Sequence, residues 1–152
     1  MRARFAAVVA LLCGILSPFL ATARSGDDTD FKVEAQLVWG TNEATSPNPK
    51  HKPVEADVAR KFKNGPYKWQ NYFEERRKRL VVPKGGDISG RMSKHCEIKV
   101  KNLGNDHVEV SLYGKGQLVT KCTQSLPKGE LLVIGGNADN RTAWFVVLKQ
   151  VE

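Results

Sequence analysis

The sequence predicts an all-β protein, mainly antiparallel, that folds as a sandwich or barrel with one or two short helices near residues 54–80. Two observations support this prediction. Apolar and polar residues alternate in several short segments, mostly in the second half of the chain. Turns rich in glycine and asparagine separate these segments. The chain shows no internal repeat, so we expect a single β-rich domain rather than an array.

The N-terminal residues have the pattern of a secretory signal peptide. Arg2 and Arg4 precede an uncharged apolar run over residues 5–16, and residues 21–23 form a small-x-small cleavage site. The apolar run is shorter than the roughly 20 residues that a membrane-spanning helix needs, and no later segment is apolar enough to span a membrane. We therefore expect residues 1–23 to be a signal peptide, and the protein to be exported to the periplasm, the cell surface or the medium.

The exported part divides into a leader and one domain. Residues 24–30 are polar and small, as in a flexible leader, and residues 31–152 have the length of a single domain. The whole chain carries a net charge of +8, and removal of the two arginines of the signal leaves about +6. This balance favours an acidic partner: an anionic glycan, an envelope surface or an acidic protein, with nucleic acid a less favoured polyanion.

The first half of the domain contains a predicted strand, a loop and a helix. Residues 31–39 alternate and predict a strand with one buried face, formed by Phe31, Val33, Ala35, Leu37 and Trp39. Residues 40–53 hold three prolines and predict a long loop. Residues 54–63 predict a short helix, because Val54, Val58 and Phe62 recur every four residues and a glycine follows at position 65.

Residues 67–82 are compatible with either a helix or a strand. Glu74 with Lys78 and Glu75 with Arg79 have the spacing of helical ion pairs. The aromatic residues and the closing Leu-Val-Val-Pro sequence favour a strand instead. Residues four apart share a face in both structures, which predicts a common face for Trp69, Phe73 and Arg77.

The same segment gives the strongest signal for an interaction. Aromatic rings beside cationic side chains suit a partner that offers both a stacking surface and negative charge. We therefore predict an anionic-partner site made of Trp69, Tyr72, Arg76, Arg77, Lys78 and Arg79. The alternative is that the aromatic rings pack into the core and the basic residues form an ordinary solvated surface.

From residue 96 onward, the sequence predicts five strands with short connections. They cover residues 96–101, 108–113, 118–122, 131–134 and 144–148. The last of these is apolar on both faces, which predicts a central strand.

Cys96 and Cys122 remain in the exported chain, which predicts one disulfide between them. Both lie on the inward phase of their strands. In a simple meander the intervening strand would hold their Cα atoms about 9.5 Å apart, whereas a disulfide requires about 4.4 to 6.8 Å. The bond would therefore favour strands that are direct neighbours or that face each other across two sheets. Two buried free thiols are the alternative.

No motif in the chain indicates catalysis or a cofactor. His51, His95 and His107 lack the spacing of a metal site. Ser89 and Ser93 lie near a histidine but lack the G-x-S-x-G pattern of a nucleophilic serine. We therefore predict no catalytic residue, no metal ligand and no cofactor.

The leading functional hypothesis is a non-catalytic exported module that binds an anionic partner. The first alternative is a protein–protein accessory or inhibitor domain that uses the loops at residues 40–53 or 135–142. The second alternative is a small secreted hydrolase whose catalytic groups come together only in the fold.

Overall fold

The structure, a computed structural model, describes residues 30–138 and 142–151. The predicted signal peptide and nearly all of the predicted leader lie outside the described residues. The described residues form nine strands and one helix, in the order β1 (Phe31–Thr41), β2 (Lys52–Pro53), α1 (Ala56–Asn64), β3 (Asn71–Val82), β4 (Asp87–Arg91), β5 (Cys96–Gly104), β6 (His107–Gly114), β7 (Gln117–Ser125), β8 (Leu131–Asn137) and β9 (Ala143–Gln150). Among these residues, no helix has the length and apolar character needed to cross a bilayer.

The strands form two antiparallel sheets that pack face to face, which confirms the predicted all-β sandwich. The first sheet has the order β2-β3-β1-β9-β8, and the second has the order β4-β5-β6-β7. The main core lies between them, with Val33 and Leu148 of the first sheet and Ile98 and Leu112 of the second fully buried. β9 lies between β1 and β8, as its doubly apolar sequence predicts.

Helix α1 adds a third layer on the outer side of the first sheet. Val58 and Phe62 are its buried residues, and they join Val38, Phe145 and Val147 of the sheet in a second apolar cluster. The four-residue periodicity therefore predicted both the helix and its buried side. It did not predict that the helix would bury the second side of β1, where one exposed face was expected.

Residues 71–82 form strand β3, which settles the choice between helix and strand at this segment. The strand contains a bulge, because Leu37 pairs with Arg76 while Val38 pairs with Glu74, and Glu75 is the extra residue. The bulge interrupts the alternation of side chains. The common face predicted for Trp69, Phe73 and Arg77 is therefore wrong: Phe73 lies opposite Trp39 and Arg77 lies opposite Gln36, on different sides of β1.

The predicted disulfide between Cys96 and Cys122 is also wrong. Both cysteines are free thiols. β5, β6 and β7 form a simple meander in which Cys96 pairs with Gly114 of β6 and Cys122 pairs with Val110. The cysteines are thus two strands apart and offset by four residues along the strands, roughly 16 Å in total. The sandwich forms without the bond that was expected to accompany it.

Candidate functional site

Strand β3 carries the predicted basic residues, and its two sides have different surroundings. Side chains of directly paired residues lie on the same side of a sheet. Arg77 and Arg79 pair with Gln36 and Glu34 on the side that faces α1, which we call the helix-facing side. The other two basic residues pair with Leu37 (Arg76) and Ala35 (Lys78), whose side chains belong to the core between the sheets, and we call this the sheet-facing side. The strand therefore divides the basic run into two pairs.

On the helix-facing side, Arg77 is held by three carboxylates. Its guanidinium group donates to both carboxylate oxygens of Glu74, at 3.0 and 2.7 Å. It also donates to Glu34 Oε1 at 3.0 Å and to Glu55 Oε1 at 2.8 Å. These bonds join β3, β1 and the residue at the N-terminus of α1, so Arg77 ties the helix to the sheet.

This ion-pair cluster leaves no excess of positive charge on the helix-facing side. The hydrogen bonds to Glu74 are the largest cause that raises the pKa of Arg77 above its ordinary value, against the opposing effect of burial. Arg79 also lies near Glu34, with its Nε 3.6 Å from Oε2. Lys149 pairs with Glu34 across β1 and β9 and bonds Asp57, so the cations and carboxylates around Arg77 roughly balance.

Trp69 and Tyr72, the predicted stacking residues, belong to the aromatic cluster beneath the helix. The ring of Tyr72 stacks on Phe62 with centroids 4.0 Å apart and an interplanar angle of 12°. Trp69 meets Phe145 edge to face at 5.8 Å. Burial raises the pKa of the Tyr72 hydroxyl. These contacts favour the alternative stated for the sequence, in which the rings pack against the protein.

On the sheet-facing side, Arg76 and Lys78 lie in an exposed stretch of β3, whereas Leu80, the next residue on this side, is buried. Leu80 is covered by β4, since a Cβ built on Gly90 would lie 3.2 Å from one of its methyl carbons. β4 ends at Arg91, so nothing from that strand covers the residues that precede Leu80. Within residues 30–138 and 142–151, neither Arg76 nor Lys78 makes an ion pair with a carboxylate.

A polar hollow of about 300 Å³ lies beside the turn that joins β4 to β5. Arg91 and Lys94 line it together with the hydroxyls of Ser89 and Ser93. Both cations are exposed, and neither has an ion pair among the described residues. Lys99 lines the hollow as well, but its Nζ lies 3.1 Å from Asp87 Oδ2 and is thus partly neutralised.

The hollow lies on the outer side of the second sheet, because its strand residues alternate with the inward-facing Gly90 and Ile98, and the β4–β5 turn approaches the sheet-facing side of β3. Glu75 of the bulge lines one cavity together with Ser93 and His95 of the β4–β5 turn. Farther along β3, Leu80 touches Gly90. Arg76 and Lys78 lie on the strand segment between these two contacts, and hence next to the turn.

Sequence reasoning missed Arg91 and Lys94. β4 was not predicted, because its sequence Asp-Ile-Ser-Gly-Arg contains one large apolar residue and a glycine. The signal that could have revealed them is the sequence Arg-Met-Ser-Lys-His at residues 91–95, where cations flank the buried Met92. That spacing is too common to identify a site without the fold.

The described residues near the hollow supply charged groups and hydroxyls, and the second sheet holds two free thiols. Burial raises the pKa of the Cys96 thiol to about 12 and also raises that of Cys122, so both thiols are protonated at neutral pH. No group of three or more His, Cys, Asp and Glu side chains in this part of the chain could hold a metal ion. The arrangement can therefore bind an anionic group through exposed cations and hydroxyls.

No family model matches the chain, and no curated protein or solved structure matches it either.

Proposed function

We propose that this protein is a non-catalytic exported module that binds an anionic partner through an open basic surface formed by Arg76, Lys78, Arg91 and Lys94. One observation carries the proposal: these four cations are exposed and make no ion pair among the described residues, whereas Arg77, in the middle of the basic run, is saturated by carboxylates. Unpaired cations can exchange their water for a ligand without first breaking a protein contact.

The charge of this surface supports an anionic partner. Its acids are Glu75 on the β3 bulge and Glu97 in the hollow, so four cations meet two carboxylates and the balance is positive. The hollow also supplies the hydroxyls of Ser89 and Ser93, which suit the oxygens of a sulfate, phosphate or carboxylate group. An acidic glycan, an envelope surface and an acidic protein all carry such groups.

The proposal changes the roles of the six residues predicted from the sequence. Arg76 and Lys78 remain contact residues, whereas Arg79 lies on the helix-facing side near Glu34 and is not part of the open basic surface. Arg77 acts by holding β3, β1 and α1 together. Trp69 and Tyr72 serve as supports beneath the helix, a role favoured by their ring contacts.

The test compares two variants with the same change in net charge. The first variant neutralises the four cations of the open basic surface with the substitutions R76Q, K78Q, R91Q and K94Q. The control replaces four other exposed cations: K50Q, K52Q, R60Q and K63Q. Binding to a sulfated polysaccharide, to anionic vesicles and to an acidic protein is titrated at several salt concentrations. Four exposed contacts of about 0.5 kcal/mol each predict a loss of about thirtyfold for the first variant.

We expect the control variant to bind within about threefold of the wild-type protein, and the wild-type affinity to fall with salt. An equal loss in both variants would show that only the net charge matters and would contradict the proposed surface. Tight, salt-independent binding to one protein would favour the accessory or inhibitor alternative. Turnover in a broad substrate screen would favour the hydrolase.

A further inference from the structure

We propose that the polar hollow on the outer side of the second sheet binds an acidic sugar unit, which is a saccharide ring that carries a carboxylate, sulfate or phosphate group. This proposal rests on the proposed function and narrows its partner to an anionic glycan. The hollow has a volume of about 300 Å³, at the lower end of the range that is typical of small-molecule sites. Besides cations and serine hydroxyls it contains Glu97 and Tyr113, and the binding of a bare anion needs neither of them.

One row of side chains crosses the outer side of the second sheet at the hollow. Arg91 of β4 pairs with Glu97 of β5, and Glu97 pairs with Tyr113 of β6. Side chains of directly paired residues lie on the same side of a sheet. The Cα atoms of Arg91 and Tyr113 are two strand spacings apart, about 9.6 Å. A cation, a carboxylate and an aromatic ring therefore lie side by side, within reach of a single sugar unit.

Hydrogen bonds between two turns fix the end of the hollow. The Ser93 N–H donates to the Cys96 carbonyl at 3.1 Å, and the Lys115 N–H of the β6–β7 turn donates to the His95 carbonyl at 2.8 Å. The backbone at Lys94 is thus held between residues that make these bonds. The backbone that carries this cation is in place before a ligand arrives, which lowers the entropy that binding would otherwise lose.

Glu97 indicates that the ligand carries hydroxyl groups as well as negative charge. Its carboxylate lines the hollow beside Arg91 and Lys94, yet it forms no ion pair with them among the described residues. In a site for a bare anion, this carboxylate would repel the ligand. A carboxylate also accepts strong hydrogen bonds, and the hydroxyls of a sugar are donors. A sugar therefore gains from Glu97, whereas a bare anion is only weakened by it.

Tyr113 supplies the apolar surface that a sugar ring needs. Its side chain is half-buried and lines the hollow beside the β6–β7 turn. The C–H groups of a saccharide ring form an apolar face, and this face loses its contact with water when it packs against an aromatic side chain. Leu118 pairs with Tyr113 and is 55% exposed, so it extends the apolar surface to β7. A charged chain without rings has no comparable face to bury there.

The experiment compares two probes that carry six carboxylates each. The first is the hexamer of galacturonic acid, in which each ring bears a carboxylate and free hydroxyls. The second is hexaglutamate, a peptide blocked at both ends, which has neither sugar rings nor hydroxyls. Calorimetric titration at low salt measures both affinities. We expect the wild-type protein to bind the galacturonate hexamer at least about tenfold more tightly, because only this probe bonds Glu97 and packs on Tyr113.

Glu97→Ala should move the two affinities in opposite directions. Loss of the acceptor should weaken binding of the galacturonate hexamer by about fivefold. Loss of a negative charge from the hollow should strengthen binding of hexaglutamate by about twofold to threefold. Glu130→Ala is the matched control, because Glu130 is exposed and lies outside the hollow, and it should leave both affinities within about twofold of wild type.

Two variants at position 113 test the ring. Tyr113→Ala should weaken binding of the galacturonate hexamer by about fivefold and leave that of hexaglutamate within about twofold, since only the sugar packs on the aromatic side chain. Unchanged hexaglutamate binding also shows that the variant is folded. Tyr113→Phe keeps the ring and should retain most of the affinity for the sugar.

The outcomes separate this proposal from the proposed function. Equal wild-type affinity for the two probes, or tighter binding of both probes by Glu97→Ala, would overturn the sugar site, while the open basic surface would still bind anions. No binding of either probe by the wild-type protein at low salt would overturn both proposals.

Discussion

The two sides of strand β3 show how four consecutive basic residues can acquire different roles. On the helix-facing side, Arg77 is held by Glu34, Glu55 and Glu74 and serves the architecture. On the sheet-facing side, Arg76 and Lys78 project past the end of β4 into solvent. A run of like charge in a sequence is therefore not a patch of like charge in space, because a strand sends alternate residues to opposite sides.

The two sides of β3 differ because carboxylates form ion pairs with the cations on only one of them. The carboxylates around Arg77 come from β1, from β3 itself and from the residue that precedes α1. Elsewhere, Glu75 directly precedes Arg76 in β3 and Glu97 lines the hollow with Arg91 and Lys94, and neither acid forms an ion pair with these cations in the described part of the chain. If this comparison is correct, substitutions on the helix-facing side should change stability, and substitutions on the sheet-facing side should change binding.

The largest effect is expected for Phe62→Ala on the helix-facing side. Phe62 is 1% exposed and contacts the rings of Tyr67, Tyr72 and Phe145. Its loss should lower the free energy of unfolding by about 3–4 kcal/mol, because a large cavity remains between helix and sheet. Urea denaturation measures this change. Leu118→Ala, at a residue 55% exposed, is the control and should change it by less than about 0.5 kcal/mol.

The next largest change in the free energy of unfolding is expected at Arg77, and it should not occur at the adjacent Arg76. Arg77→Ala leaves Glu34 and Glu74 close together without their shared cation, which should lower the free energy of unfolding by about 2 kcal/mol. Arg76→Ala removes no ion pair among the described residues and should change it by less than about 0.5 kcal/mol. The measurement is again urea denaturation. Equal values for the two variants would remove the distinction between the two sides.

A smaller effect depends on pH at the contact between α1 and β9. The hydrogen bond from Lys149 Nζ, 2.9 Å from Asp57 Oδ2, is the largest cause that lowers the Asp57 pKa from its ordinary value of 3.8. A lowered pKa in the folded state means that the carboxylate stabilises the protein above about pH 4, and that this contribution is lost as the pH falls through the folded value.

Asp57→Asn should therefore cost about 0.5 kcal/mol at neutral pH, a small value because the pair is partly exposed. The cost should disappear in acid. Unfolding curves of the wild-type protein and Asp57→Asn between pH 3 and pH 7 measure the difference. A difference that grows as the pH falls would have the wrong sign for this pair.

The smallest expected effect, close to zero, concerns the thiols of the second sheet. Cys96 and Cys122 are separated by β6, so a reductant should leave the free energy of unfolding unchanged. Because burial raises the pKa of both thiols, alkylation of the folded protein at pH 8 should be slow and should become fast in urea. A mass two units lower in the oxidised protein would show a bond that requires another arrangement of β5, β6 and β7.

The sequence by itself determined the secondary structure of most of the domain. Alternation along the chain predicted β1 and the five strands from residue 96 onward, and the four-residue spacing of Val58 and Phe62 predicted α1. These features are local, because a residue's phase within a strand or helix depends only on its near neighbours in the chain.

Only the tertiary structure decided which residues meet. One inserted residue, Glu75, reversed the alternation of β3 and separated Phe73 from Arg77. The meander of β5, β6 and β7 kept the two cysteines apart, although their inward phase was predicted correctly. The turn after the short β4 brought Ser93 and His95 beside Glu75 of β3. Bulges, strand order and sheet packing depend on contacts between distant residues, and so the periodicity of a single segment does not specify them.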